Sequence, residues 1–190
     1  MTVTSRRFAL RAATSKARAL LDDRIMRAGM FDDRERYAAY LGATHRAREP
    51  LERALDQAGA EQLFAMWPRR KIAAALRADI ADLSGEAIVE SIPPSAPVPK
   101  TPAQMLGILY VLEGSALGAR LLIRRAEAMG MSSSFGARHL ASQTDTPSAW
   151  ASFVAVLDAA EMDSEQEAEC TAAAIATFAV FEAAVGEAAG

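Results

Sequence analysis

Tyr110-Val111-Leu112-Glu113-Gly114-Ser115-Ala116-Leu117-Gly118-Ala119 sets two glycines four residues apart inside a stretch that otherwise has the composition of a long apolar helix. A glycine in a helix interior costs about 1 kcal/mol relative to alanine, so the pair calls for a close approach of backbone to something flat. Gly107 extends the pattern: at roughly 100° per residue, Gly107, Gly114 and Gly118 fall within roughly 40° of one another. One strip of this helix is therefore bare of side chains, suited either to tight packing on another helix or to the face of a ligand.

Working outward, Thr101-Pro102-Ala103-Gln104 supplies an N-cap, an N1 proline and an N3 glutamine, so the glycine-bearing helix begins there and runs to about Met129. Five prolines between Pro93 and Pro102 make the preceding segment an extended connector. Upstream, Thr4 or Ser5 caps a first helix to about Ala28, with Leu10, Thr14, Ala17, Leu21 and Ile25 on one stripe, and Gly29 ends it. Asp32 or Asp33 starts a second helix with Tyr37, Leu41, Thr44 and Leu51 inward and a kink or break expected at Pro50. A third unit follows Trp67-Pro68, with Ile72, Leu76, Ile80 and Leu83 at helical spacing before Gly85. Downstream, Ser132 to Ser148 reads as a polar loop, followed by helices over about Pro147 to Leu157 and Ser164 to Val185. No internal repeat is visible. The pattern is all-α, a single domain over residues 1–190, with the first helix and the glycine helix expected to be close neighbours.

With 190 residues, 51% apolar and 24% charged, the chain can bury one full core. No apolar run reaches about 18 residues without a charge, and Met1 to Arg11 has no signal-type apolar segment, so the expectation is a cytoplasmic protein without a membrane span. The single cysteine, Cys170, allows no internal disulfide and reads as a small buried hydrophobe. Charge is unevenly spread: the net value is -3, yet from His139 to Gly190 there are nine acidic residues and no Lys or Arg, leaving +6 on the rest. Acidic C-terminal helices lying against basic N-terminal ones account for this without a nucleic-acid partner, and no nucleic-acid motif is present.

Few residue types suited to metal or nucleophilic chemistry are present. His45 and His139 are the two histidines, so no structural zinc site is expected with the lone Cys170, and no paired Glu-x-x-His, Gly-x-Ser-x-Gly, P-loop or dinucleotide motif occurs.

Several blocks in order do resemble a family. Leu10-Arg11-x-Ala13-Thr14 with Leu21-Asp22, Tyr37-x-x-Tyr40-Leu41 before Pro50-Leu51-Glu52, Asp79-x-x-Asp82-Leu83, the block from Gly107 to Gly118 and Trp150-x-x-Phe153 are similar to bacterial heme oxygenases. The Tyr-Val-Leu-Glu-Gly-Ser-x-Leu-Gly block is the specific one. The resemblance implies a single all-helical domain that holds heme, a tetrapyrrole, between a proximal helix near the N-terminus and a distal helix whose glycines press backbone on the ring. Gly114 and Gly118 match those glycines, Ser115 matches a polar position on the oxygen side, and Ala119 replaces a second glycine of the usual pair. Arg11 matches a basic position that in the family meets a propionate; a solvated surface charge is the alternative. The family's late basic residues are absent after Arg138.

The departure carries equal weight. The family motif Leu-Arg-x-Ala-Thr-x-x-x-His-x-x-Leu-Asp, laid on Leu10 to Asp22, puts Arg18 where the iron-binding histidine belongs. A guanidinium stays protonated and has no lone pair for iron, so histidine-ligated heme is disfavoured. Arg18 either extends outward or meets a carboxylate of a neighbour or a ligand. His45, beside inward Thr44, is a weak substitute ligand and more simply a satisfied core residue; His139 is weaker still. Two readings result: a diverged member with a degenerate site serving as a binding or regulatory module, whose protein partner these residues do not name, or an oxidoreductase that still opens heme to biliverdin, carbon monoxide and iron through a substitute ligand such as His45 or water.

Overall fold

The computed structural model describes residues 5–84 and 95–188. Among these described residues nine helices follow in order: α1 (Arg6–Arg27), α2 (Arg34–Gln57), α3 (Ala60–Leu63), α4 (Trp67–Arg70), α5 (Ala73–Ser84), α6 (Pro102–Ala128), α7 (Arg138–Thr144), α8 (Ala149–Ala159) and α9 (Ser164–Ala188). There is no strand among the described residues, where isolated bridges at Ser132 are the sole β pairing. The domain is all-α.

Local signals set several of the ends. The Thr101 hydroxyl accepts the Gln104 N–H at 3.3 Å and the Gln104 side chain accepts the Lys100 N–H at 2.7 Å, so α6 opens at the predicted cap. Asp33 caps α2 by accepting the Arg36 N–H at 2.9 Å. Gly29 and Gly130 follow α1 and α6 with φ of 61° and 83°, the left-handed turn that closes a helix and is open to glycine without strain. Ser5 stands at the N-cap of α1, but its hydroxyl donates to Asp158 at 2.8 Å rather than capping. Thr4 and Gly85 lie outside the described residues.

Two expectations are corrected. Pro50 does not break α2, which continues to Gln57 because Ala47, Arg48, Leu51 and Glu52 around it are buried on neighbouring helices; that packing outweighs the lost backbone bond. The polar segment 132–148 contains α7, whose first N–H groups, of Arg138 and His139, both donate to Asp79 of α5 at 3.0 Å. A carboxylate distant in sequence thus supplies the cap. As expected, α1 and α6 are neighbours: Arg125 Nη1 of α6 lies 3.5 Å from Met26 Sδ of α1, and α9 lies against α1, α2 and α6 and joins them.

The core centres on α6, whose Leu106, Ile108, Leu109 and Leu112 are all but inaccessible, with Tyr37, Leu41 and Leu51 of α2 and Ala174 and Val180 of α9. By length and composition α6 and α9 also qualify to cross a membrane, and here their apolar faces pack within this core. Part of the uneven charge is met between helices: Arg6 pairs with Glu167 at 2.7 Å, Arg24 with Glu182 at 3.3 Å and Arg46 with Glu187 at 3.9 Å.

Candidate functional site

Between α1 and α6, floored by α2 and α9, lies a cavity of about 800 Å³, within the range of about 300–1,000 Å³ usual for small-molecule sites. The glycine strip explains how it stays open. At Gly107 an added Cβ would collide with the Cys170 carbonyl of α9, so this glycine serves close helix packing. At Gly114 a Cβ would meet the Trp150 ring at 3.7 Å, ordinary contact, and at Gly118 it would meet nothing within 4 Å. The strip is therefore divided: its N-terminal end is packed on protein, and Gly114 and Gly118 form a bare wall of the cavity.

Both sides of that wall are fixed by hydrogen bonds. The Ser115 hydroxyl lies 2.6 Å from the Leu112 carbonyl and 3.1 Å from Gln143 Oε1, so its one proton serves two acceptors. Gln143 Nε2 in turn donates to the His139 carbonyl at 3.1 Å, which holds the amide against the cavity. Arg48 borders the same space but is only 2% exposed, and its donors are committed: Nε to Glu52 at 2.7 Å, Nη2 to the Arg70 carbonyl at 3.0 Å and Nη1 to the Leu112 carbonyl at 3.4 Å. It braces α6 beside Gly114 rather than offering charge to a ligand. Behind it, Arg70 Nε bonds Glu113 at 2.9 Å, and burial raises the Glu113 pKa against the pull of Arg70 and Arg48. Tyr40 adds a neutral phenol, its pKa pushed up to about 12 by burial despite a hydrogen bond with Thr44.

The opposite wall is α1, and helical geometry sorts its arginines into two faces. Arg6 and Arg24 lie eighteen positions apart, in phase on a helix, and both meet carboxylates of α9. Arg7, Arg11 and Arg18 lie roughly 100–140° around the helix from them, and all three line the cavity. Arg7 stacks over Phe8 at 4.5 Å. Neither Arg7 nor Arg11 has a carboxylate partner among the described residues. Arg18 Nε stands 3.7 Å from Asp22, with the two side chains 53% and 66% exposed, a pair so solvated that it holds Arg18 weakly.

The cavity thus brings together Arg11, Arg18, Gly114, Ser115 and Gly118, five residues singled out in the sequence. It does not include either histidine. His45 is buried on α2, one position past cavity-lining Thr44, with Nε2 lacking a hydrogen-bond partner and its pKa lowered by burial. His139 is fully buried in α7, its Nδ1 bonded to Asp79 at 2.8 Å; burial lowers the imidazole pKa against the carboxylate's pull. For Asp79 the hydrogen bonds from His139 and Arg138 overcome the effect of burial and hold its pKa low, so the couple is an ionised carboxylate receiving Nδ1–H of a neutral ring. Sequence reading missed Gln143, Arg48 and the α9 phenylalanines Phe178 and Phe181, and it placed Tyr40 in a family-like block without a site role. For Arg48 a signal existed, the Arg48/Glu52 spacing of i,i+4; for Gln143 there was none, because α7 itself was not visible.

Comparison with known proteins agrees with this geometry. The heme oxygenase family model matches residues 6–187. The chain is 36% identical over 138 residues to heme oxygenase PigA of Pseudomonas aeruginosa, covering 72% of this chain and 69% of that protein. It is 30% identical over 149 residues to a heme oxygenase of Xanthomonas campestris pv. campestris, covering 78% and 88%. Among solved structures, the heme oxygenase of Neisseria meningitidis, in a study of its NO- and CO-bound forms, superposes with a TM-score of 0.87 at 26% identity over 99% of this chain and 94% of that one. The heme oxygenase of Leptospira interrogans shares the fold, with a TM-score of 0.79 at 17% identity over 97% and 100% of the two chains.

Proposed function

The chain belongs to the heme oxygenase family, and from that premise we propose that it is a diverged member that binds a tetrapyrrole without histidine ligation and acts as a binding or regulatory module. The observation that carries this is the composition of the cavity wall: Arg18 of α1 lines it and no histidine does among the described residues, which supports the motif alignment that sets Arg18 where the family has its histidine. The cavity suits a broad, largely apolar ligand with anionic edges on three counts. Gly114 and Gly118 leave a bare face, Trp150, Phe178 and Phe181 supply apolar surface, and Arg7 and Arg11 supply cations at its edge. It does not suit axial coordination, because a guanidinium carries no lone pair. Cleavage of heme depends on the axial ligand and on pocket hydrogen bonds together; Ser115 and Gln143 offer the second and Arg18 withholds the first.

The test is an absorbance titration of the full chain with hemin. The wild type is expected to lack the sharp Soret band and spectral shifts of a histidine-ligated complex, and Arg18→His to gain them at least in part. Histidine-type spectra in the wild type that vanish in His45→Ala would overturn the proposal in favour of an active enzyme with a substitute ligand.

A further inference from the structure

Resting on that reading, we infer that the ligand is a metal-free, open-chain tetrapyrrole, held by Arg18 hydrogen bonding to its lactam carbonyl oxygens while Arg7 and Arg11 meet its carboxylates. The first step is the charge of Arg18. A guanidinium in the place of an axial ligand is a fixed cation with donors alone. Toward an iron centre it offers repulsion and nothing to coordinate, so the ion that usually fixes a heme in place contributes nothing here. Toward a carbonyl oxygen it offers charge-assisted hydrogen bonds, stronger than neutral ones.

The second step separates open from closed rings. A metal-free macrocycle turns its nitrogens inward and carries no carbonyl on its framework, so Arg18 would gain little from it. An open-chain tetrapyrrole ends in two lactams, each with an exposed acceptor, and retains the two propionates that Arg7 and Arg11 can meet. The third step is availability. α9 consumes Arg6 and Arg24, whereas the cavity-facing set lacks strong partners: Arg7 is stacked on Phe8, Arg11 has no carboxylate among the described residues, and Arg18 has the 3.7 Å pair with Asp22. The fourth is room. An open chain is not flat, and with no atom within 4 Å of a Gly118 Cβ and a volume of about 800 Å³ the cavity can take a helically twisted ligand where a tight slot would not.

The experiment compares three probes on the full chain by absorbance, induced circular dichroism and dissociation constant: biliverdin, protoporphyrin IX and hemin. Biliverdin is expected to bind at least about tenfold more tightly than either macrocycle and to show induced dichroism. Arg18→Ala should weaken biliverdin by about tenfold or more, the size of one lost charged hydrogen bond, while changing protoporphyrin little, and Arg18→Lys should recover part of the loss. Urea unfolding of each variant shows whether the domain is intact, and Gly118→Leu, on the opposite wall, should abolish binding of all three. Hemin or protoporphyrin binding as tightly as biliverdin, or biliverdin binding unaffected by Arg18→Ala, would overturn the inference while leaving the cavity a tetrapyrrole site. Failure of all three probes to bind would overturn the tetrapyrrole reading and this inference together.

Discussion

Gly107 and Gly118 share a residue type, a helix and nearly the same face, yet the same substitution should act on them in opposite directions. Gly118→Leu replaces a helix-interior glycine by a good helix former, worth about 0.5–1 kcal/mol, and its side chain enters space where even the Cβ meets nothing within 4 Å. No overpacking cost arises, so the urea midpoint should hold or rise at unchanged slope, and the melting temperature should rise by up to about 2–4 °C, the shift per kcal/mol for a domain of this size. Gly107→Leu gains the same propensity but drives a side chain into the Cys170 carbonyl and toward Ala173 of α9. That overlap is with backbone, which cannot rotate aside, so the loss should reach or exceed the about 1–3 kcal/mol typical of overpacked cores. Tetrapyrrole binding should follow the reverse order and be lost in Gly118→Leu. If Gly118→Leu lowers the midpoint as Gly107→Leu does, the strip is filled by protein in solution and the cavity argument fails.

The two histidines predict an acid-side loss of stability. Burial lowers both pKa values below 6.5, so the unfolded chain takes up protons that the folded chain refuses; the stability is present above about pH 6.5 and lost as pH falls toward the folded values, with a slope of up to about 1.4 kcal/mol per pH unit for each histidine. Glu113 acts with the opposite sign, its raised pKa costing stability as pH rises above 4.5 through its folded value. Urea midpoints measured from about pH 5 to 7.5 should therefore slope upward in the wild type and flatten in the His45→Gln/His139→Gln double variant; an unchanged slope refutes the assignment. Glu113→Ala leaves Arg70 buried without its carboxylate and should cost about 3–5 kcal/mol, read as a fall in urea midpoint, with Glu113→Gln milder because the amide still accepts a bond from Arg70.

What could be read from the chain was what the chain decides locally. The start of α6 is set by Thr101, Pro102 and Gln104 within four residues, and its end by Gly130, so both were legible. The division of the glycine strip was not, because the group that occupies Gly107's face is a carbonyl of α9. Nor was α7, whose cap is Asp79. Arg48 shows a further limit. Arg48 and Glu52 share an i,i+4 spacing, as do Glu49 and Arg53, yet the first pair is 2% and 7% exposed and the second 65% at the arginine. Spacing identifies a pair and says nothing of its depth, which depends on what α5 and α6 bring against that face.

The charge asymmetry contains more of the function than any single motif. Nine acidic residues after Arg138 against a basic N-terminal half could, in principle, neutralise α1 completely. They do not, because a straight helix presents roughly a third of its circumference to one neighbour, and Arg6 and Arg24 are the residues on that third. Arg7, Arg11 and Arg18 turn to a side where no acidic helix lies and the bare wall of α6 faces them. Had Arg18 been a solubilising charge, any exposed face would have served; its place opposite Gly114 and Gly118 puts a permanent cation against whatever enters. On the proposed reading a ligand supplies the missing negative charge or acceptor oxygens, and the proposed preference for those oxygens over iron follows from where Arg18 stands.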